Sequence, residues 1–256
     1  MNKEYTFPDV TLLVTHYNRS LSLERLLLSF ENLNCRFKEI VVSDDGSQKL
    51  HLDYLQSIQS RHHFSLVTTP VNKGLGNNIN KGQDAVSSPF TLYVQEDFVP
   101  KLIFPASLEH ALKILEERPE MDMARFYAYF QYPYLKSIRN GYSEIKFNIL
   151  FPGYKKFYIY SDHPHLRRST FFTKFGRYRE GVKGDITEYA MMMSFLQKKG
   201  RAIYYDHFND LFDQVNSEEE PSTMKRNFLR ESNGFLMIGA RNVYRHLKFN
   251  FDYLFL

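Results

Sequence analysis

The chain has 256 residues, 43% of them apolar, 16% aromatic and 24% charged, which allows a sizeable core and excludes a disordered or low-complexity chain. A net charge of +4 comes without any Lys/Arg block of nucleic-acid-binding length, so no nucleic-acid partner is expected. The single cysteine, Cys35, excludes an internal disulfide and a cysteine-based metal framework and fits a reducing compartment.

The N-terminal stretch MNKEYTFPDV lacks the apolar core of a signal peptide. No run reaches the roughly 18 apolar residues that a spanning helix needs. A cytoplasmic protein is expected. VTLLVT (10–15) reads as a strand, and Ser22–Asn34 as a helix with Leu23, Leu26, Leu27 and Phe30 in phase. EIVVS (39–43) is a second strand, Leu50–His62 a second helix, FSLVTT (64–69) a third strand, Gly76–Val86 a polar helix and FTLYVQ (90–95) a fourth strand. Alternation of this kind, with near-continuous apolar strands, predicts an α/β fold with a mostly parallel central sheet flanked by helices. Residues 1–100 form the first half of that reading and 101–256 a second, less regular half of the same domain. There, Pro105–Arg118 and Asp185–Lys199 read as helices, the latter stopped at Gly200, and 123–130 and 201–206 as strands. Residues 131–162 carry aromatics with Gly and Pro breaks and suggest no regular element; Asn216–Thr223 reads as a solvated loop.

In such sheets ligands sit beyond the C-terminal ends of the strands. The four strands are followed by HYNRS, DDGS, PVNKGLGNN and EDF, which predicts polar loops along one edge. Glu96 and Asp97 are oxygen donors suited to Mg²⁺ or Mn²⁺ shared with substrate phosphates; the plain alternative is a solvated acidic turn. Asp44 or Asp45 can accept hydrogen bonds from a base or ribose, although Asp45-Gly46 is also a turn signal. Gly74 and Gly76 permit close backbone approach and Lys73 can meet a phosphate; a flexible loop is the alternative. His163 and His165 alternate as zinc ligands do, without a third partner, and Arg167 and Arg168 can contact phosphate or, as the plainer reading, belong to a solvated helix start.

The four motifs LLVTHYNRSLSLERLLLSF, EIVVSDDGS, NKGLGNNINKG and LYVQEDF, in this order, resemble the nucleotide-sugar-binding half of family 2 glycosyltransferases, which have the GT-A fold. The resemblance implies an inverting transferase moving a sugar from a nucleotide diphosphate donor, a UDP-sugar first, to a glycan or lipid-linked acceptor in polysaccharide or glycoconjugate synthesis. It implies that Thr15, Tyr17 and Arg19 border the base and that Asp45, with Asp44, binds base or ribose. Lys73, Gly74 and Asn78 flank base or diphosphate, Gln95 or Glu96 faces the ribose, and Asp97 holds Mn²⁺ or Mg²⁺ with support from His207. QED stands where the family carries Asp-X-Asp, a departure at Gln95. The family's catalytic base maps to Glu188 or Asp185, with Tyr189 in place of an aspartate. A capping-box arrangement of Asp185 and Glu188 is the structural alternative.

The tyrosines 127, 129, 132 and 134 offer a platform for a sugar ring or a set of core aromatics. The basic and aromatic segment from Asn233 to Leu256 offers peripheral contact with the inner face of a membrane or packing on its own domain. Two rival functions remain: a sugar-nucleotide or glycan-binding relative without turnover, and a sugar nucleotidyltransferase. The latter wants a Gly-rich loop after the first strand, and none is present there.

Overall fold

The computed structural model describes residues 3–216, 220 and 235–255. One sheet runs through both halves of the chain, in the order β3-β2-β1-β4-β9-β6-β10-β8-β7. Its strands are β1 (Tyr5–His16), β2 (Cys35–Asp44), β3 (Phe64–Val67), β4 (Phe90–Gln95), β6 (Met123–Arg125), β7 (Leu135–Arg139), β8 (Tyr142–Ile145), β9 (His165–Arg168) and β10 (Ala202–Tyr205). The first four are parallel. β9 runs against β4 and β6, and β8 against β10 and β7. A short ribbon pairs β5 (Phe98–Pro100) with β11 (Phe212–Gln214), tying the segment after β4 to the chain after β10.

The expected helices form as α1 (Ser20–Asn32), α2 (Lys49–His62), α3 (Leu75–Asp84), α4 (Phe104–Glu117) and α6 (Gly184–Gln197). A short α5 (Phe171–Phe175) and a C-terminal α7 (Phe235–Phe255) complete the set among the described residues. Side chains alternate across β1: Leu12 and Val14 join a core with Leu23, Leu55 and Leu108 from α1, α2 and α4, whereas Leu13 joins Ile79, Met191 and Phe249 from α3, α6 and α7. Helices therefore cover both faces, as continuous apolar strands require.

Four expectations are corrected. The strand expected over 123–130 ends at Arg125, because Phe126 leaves the ladder to donate its N–H to the Pro164 carbonyl. Residues 131–162, left without an element, supply β7, β8 and a 3₁₀ turn at Tyr154–Phe157. Residues 165–168, expected as a solvated helix start, are a strand in the middle of the sheet. Arg167 is fully buried there because Gln83 Oε1 accepts two of its N–H groups, at 2.8 and 3.2 Å, and Tyr178 Oη a third at 2.9 Å. Finally, α6 ends with Lys199, not Gly200, in the left-handed region (φ 54°). Gly200 is needed for proximity: a Cβ there would lie 2.5 Å from the Phe195 ring.

Candidate active site

The loops after β1, β2, β3 and β4 meet in a cleft of about 340 Å³ at one edge of the sheet. Thr15, Tyr17, Arg19, Asp45, Gly74, Asn78, Gln95, Glu96 and Asp97 all line it, with Gly184 at the start of α6 and Gln214 of β11.

Asp45 is buried, and its two oxygens accept the backbone N–H groups of Lys73 (2.8 Å) and Gly74 (2.9 Å). It clamps the third loop to the second. Burial raises its pKa against the pull of those two bonds. Gly46 makes this turn possible: its φ is +67°, and a Cβ would sit 2.4 Å from the Val71 carbonyl carbon. The Lys73 side chain is exposed and faces a neighbouring open hollow that it shares with Glu180 and Lys183.

Asp44 turns away from the cleft. It is fully buried and accepts from His16 Nδ1 (2.8 Å), Thr68 (2.7 Å), the Ser47 N–H (3.1 Å) and the Ser47 hydroxyl. Burial works to raise its pKa, but these hydrogen bonds outweigh it and hold the carboxyl well below the usual range. His16, to which the sequence reading gave no role, is held in one tautomer. Nδ1–H donates to Asp44, and Nε2 accepts the Arg19 N–H at 3.1 Å. Its position at a strand end was the available signal. Asn78 is likewise framework, donating to the His16 carbonyl and accepting from Ser43 Oγ at 2.7 Å. Thr15 pairs with Tyr93 Oη at 3.0 Å.

At the end of β4 the guanidinium of Arg19 lies 3.4 Å from Glu96 and 3.5 Å from Asp97. Its other nitrogen donates to Asn216 Oδ1 (2.9 Å) and the Glu220 carbonyl (3.1 Å). Asn216 and Glu220, expected in a solvated loop, are thus engaged. The Glu220 carboxylate accepts the N–H groups of Leu21 (2.9 Å) and Ser22 (2.8 Å) at the start of α1. The rest of that expected loop, 217–219 and 221–223, lies outside the described residues. Burial and the Asp97 charge push the Glu96 carboxyl up to about 8. Asp97 Oδ2 accepts from Gln214 at 2.9 Å, while Oδ1 is buried without a hydrogen-bond partner among the described residues.

An orphaned, buried carboxylate oxygen in a cleft fits a divalent cation completed by donor phosphate oxygens. Among the described residues no group of three His, Cys, Asp or Glu would hold the ion alone. His207 does not join Asp97: it is exposed beyond β10, its ring against Tyr205, and does not line the cleft. The alternating His163 and His165 do not form a metal pair either. His165 donates Nδ1–H to the His163 carbonyl at 2.7 Å, and burial drives both imidazoles down, His163 to about 3.

Asp185 and Glu188 line a second cavity of about 510 Å³, walled by α6, α7 and Tyr158 and Tyr160. Gly184 lines the first cleft and the next residue, Asp185, the second, so the two adjoin at the first turn of α6. Gly76 sets this closeness, since a Cβ there would meet the Arg179 carbonyl oxygen at 2.4 Å. The capping box does not form. Lys183 is the N-cap, and Glu188 instead accepts the Asp162 N–H at 3.1 Å. Burial raises both the Glu188 and Asp162 carboxyls. Tyr189 donates its hydroxyl to Asp252, anchoring α7. The tyrosine series divides: Tyr132 is buried, whereas Tyr129 is 65% exposed and donates to Gln214 Oε1 at 3.1 Å, the residue that also holds Asp97.

The sequence profile described as glycosyl transferase family 2 matches residues 11–195. The chain belongs to glycosyltransferase family 2. That membership favours the transferase reading over the nucleotidyltransferase. The fold is GT-A: TarS of S. aureus, in complex with UDP-GlcNAc, superposes with a TM-score of 0.64 at 16% identity, covering 94% of this chain and 73% of that one. The mannosyltransferase PcManGT of Pyrobaculum calidifontis, in complex with GDP-Man and Mn²⁺, gives 0.58 at 15% identity, covering 94% and 65%. Poly-β-1,6-N-acetyl-D-glucosamine synthase of Staphylococcus epidermidis is 28% identical over 90 residues, 35% of this chain and 22% of that protein. GalNAc(5)-diNAcBac-PP-undecaprenol β-1,3-glucosyltransferase of Campylobacter jejuni is 30% identical over 93 residues, 35% of this chain and 30% of its own length. The chain therefore matches less than a third of either curated relative.

Proposed function

We propose that the chain transfers a sugar from a nucleotide diphosphate donor, a UDP-sugar first, to an acceptor hydroxyl in polysaccharide or glycoconjugate synthesis. Supporting this is the adjacency of two cavities across the first turn of α6: a polar cleft holding Asp97 with an open oxygen, and a cavity holding two carboxylates. The first hundred residues serve the donor and the remainder the acceptor and the base.

Asp45 fixes the loop at Lys73 and Gly74, which with Thr15 and Tyr17 borders the nucleoside. Arg19 holds Glu96, Asp97 and the 216–220 segment together, and so fixes the carboxylate next to the diphosphate. Asp97 and the donor phosphates would hold a divalent cation. When bound, the ion supplies positive charge against the leaving diphosphate. Glu188, or Asp185 one turn earlier, takes the proton of the acceptor hydroxyl as that oxygen attacks the anomeric carbon. Attack opposite the leaving group inverts the centre, as in the family. An acceptor carried on lipid would approach through α7.

The reading is tested by release of nucleoside diphosphate from a panel of UDP-, GDP- and dTDP-sugars, with and without Mn²⁺ or Mg²⁺ and with glycan acceptors. Metal-dependent release from one donor supports it. Gln95 and Tyr189, neutral where acids stand in the family, motivate a second reading, a sugar-nucleotide-binding relative. Tight donor binding without turnover under every condition would establish that one.

A further inference from the structure

α7 packs on the domain by one face only. Phe249 and Asp252 are buried, Phe249 against Phe157, Tyr158 and Tyr189 and Asp252 against Tyr189 and Lys248. On the other side Val243, Tyr244, Leu247, Phe251, Leu254 and Phe255 are each between 59% and 70% exposed. At about 100° per residue these six span an arc of about 120°. Ala240, which also falls within that arc, is apolar and exposed. An unbroken, solvent-facing stripe of this breadth on one helix needs an apolar neighbour.

The face continues beyond the helix. Pro133, Pro152 and Tyr154 join Val243 and Leu247 around an open hollow of about 460 Å³. Leu150, 86% exposed, stands on the loop leading to Pro152. One border of the stripe is basic: Lys248 and Arg241 follow it around the helix, Arg245 stands beyond Asp252, and Lys155 lines the hollow. Over 235–255 the helix has three basic residues and one acidic, a net 3 − 1 = +2. That acid, Asp252, is buried and already engaged by Tyr189 and Lys248.

These features choose between a second copy of the chain and a lipid surface. A helix pair buries a narrow two-position seam and sets complementary charges beside it. Here the stripe is broad, and a second copy brings no acidic row to face the basic one. A broad apolar arc with aromatics and a cationic edge suits the boundary between acyl chains and anionic headgroups.

We propose that the outer face of α7 is an interfacial helix that seats the chain on an anionic lipid surface. Tyr244, Arg245 and Lys248 also rim the cavity of Asp185 and Glu188, so seating α7 brings that cavity to the headgroup layer. This last placement, as the acceptor side, rests on the transferase reading; the binding itself does not.

The test is flotation of the full chain with vesicles of phosphatidylcholine and phosphatidylglycerol, against phosphatidylcholine alone. Binding is expected on the mixed vesicles and weakens several-fold as salt rises from about 0.05 to about 0.3 M. The double variant Leu247→Glu, Phe251→Glu changes two exposed side chains and lowers the partition constant by on the order of a hundredfold. As a variant that keeps the apolar face, Phe251→Trp places the sole tryptophan of the chain on it; its emission shifts to the blue on mixed vesicles. Absence of binding at low salt, unchanged partition of the double variant, or a dimer that the double variant splits would each overturn the proposal. Vesicle binding with no donor turnover would sink the transferase reading and leave the helix standing; turnover without vesicle binding does the reverse.

Discussion

Two acidic pairs, Asp44-Asp45 and Glu96-Asp97, stand at the ends of β2 and β4, the parallel strands on either side of β1, and look alike in sequence, yet they are built in opposite ways. The first pair is saturated by protein donors: Asp44 by His16, Ser47 and Thr68, Asp45 by two backbone N–H groups. The second is left incomplete. Asp97 Oδ1 has no donor among the described residues, and Glu96 is pushed up to about 8 by burial and by its neighbour's charge. The difference separates carboxylates that shape a cleft from those that wait for something in it. Hydrogen-bond satisfaction, which residue identity does not disclose, draws the line.

The sharpest way to break the comparison is Asp97→Ala. If Asp97 holds the cation, metal-dependent donor turnover falls about a thousandfold while the thermal midpoint without metal barely moves. Turnover within a few-fold of the parent would place the cation elsewhere.

Glu188→Gln is next, with a loss of about a hundredfold in turnover and unchanged donor binding. Burial raises the Glu188 pKa, and a base works only when deprotonated. The rate should therefore climb as pH rises through that raised value and level off above it. The limb disappears in Glu188→Gln and persists in Asp185→Asn; the reverse pattern would give the role to Asp185.

Legibility followed element length and alternation. In the first half β1, β2 and β4 run six to twelve residues and alternate with helices, and local period and turn residues were enough to place α1–α3 and β1–β4 and to bring four loops to one edge. In the second half β9 crosses to lie between β4 and β6, and β10 between β6 and β8. Such strands are three or four residues long, too short for periodicity to register, and β9 carries His165, Arg167 and Arg168 into the sheet. Only the distant Gln83 and Tyr178 make Arg167 tolerable there, and no local pattern announces them. The same limit hid the partners of Glu188 and Tyr189, which come from 162 and 252.

Asp44→Ala tests the saturated pair. It strands the buried donors of His16 and Ser47, removes the acceptor of the exposed Thr68 hydroxyl, and should cost about 2–3 kcal/mol in urea unfolding at pH 7, with donor turnover retained wherever the chain is folded. The folded carboxyl sits below its ordinary 3.8. Its contribution is therefore complete above about pH 4 and is lost as pH falls through the folded value. The gap between parent and variant should close on acidification. A gap that stayed constant down to pH 2 would mean that the Asp44 charge carries none of it.

Glu96→Gln is the mildest change and the most discriminating. With a folded pKa near 8 against 4.5 in an open chain, Glu96 is already protonated at pH 6 in the metal-free protein. An amide of the same shape should then leave stability within about 0.5 kcal/mol at about pH 4, where the folded and the unfolded chain both hold that proton. Between pH 4.5 and 8 the folded chain holds a proton that the unfolded chain has released, so this carboxyl subtracts stability as pH rises. The variant lacks that penalty and should overtake the parent, with the advantage levelling off above pH 8. Parallel urea-unfolding curves for parent and variant from pH 5 to 9 would show Glu96 ionised throughout. Glu96 and Asp97 would then carry two charges rather than one, and the contrast with the saturated pair would rest on Asp97 Oδ1 alone.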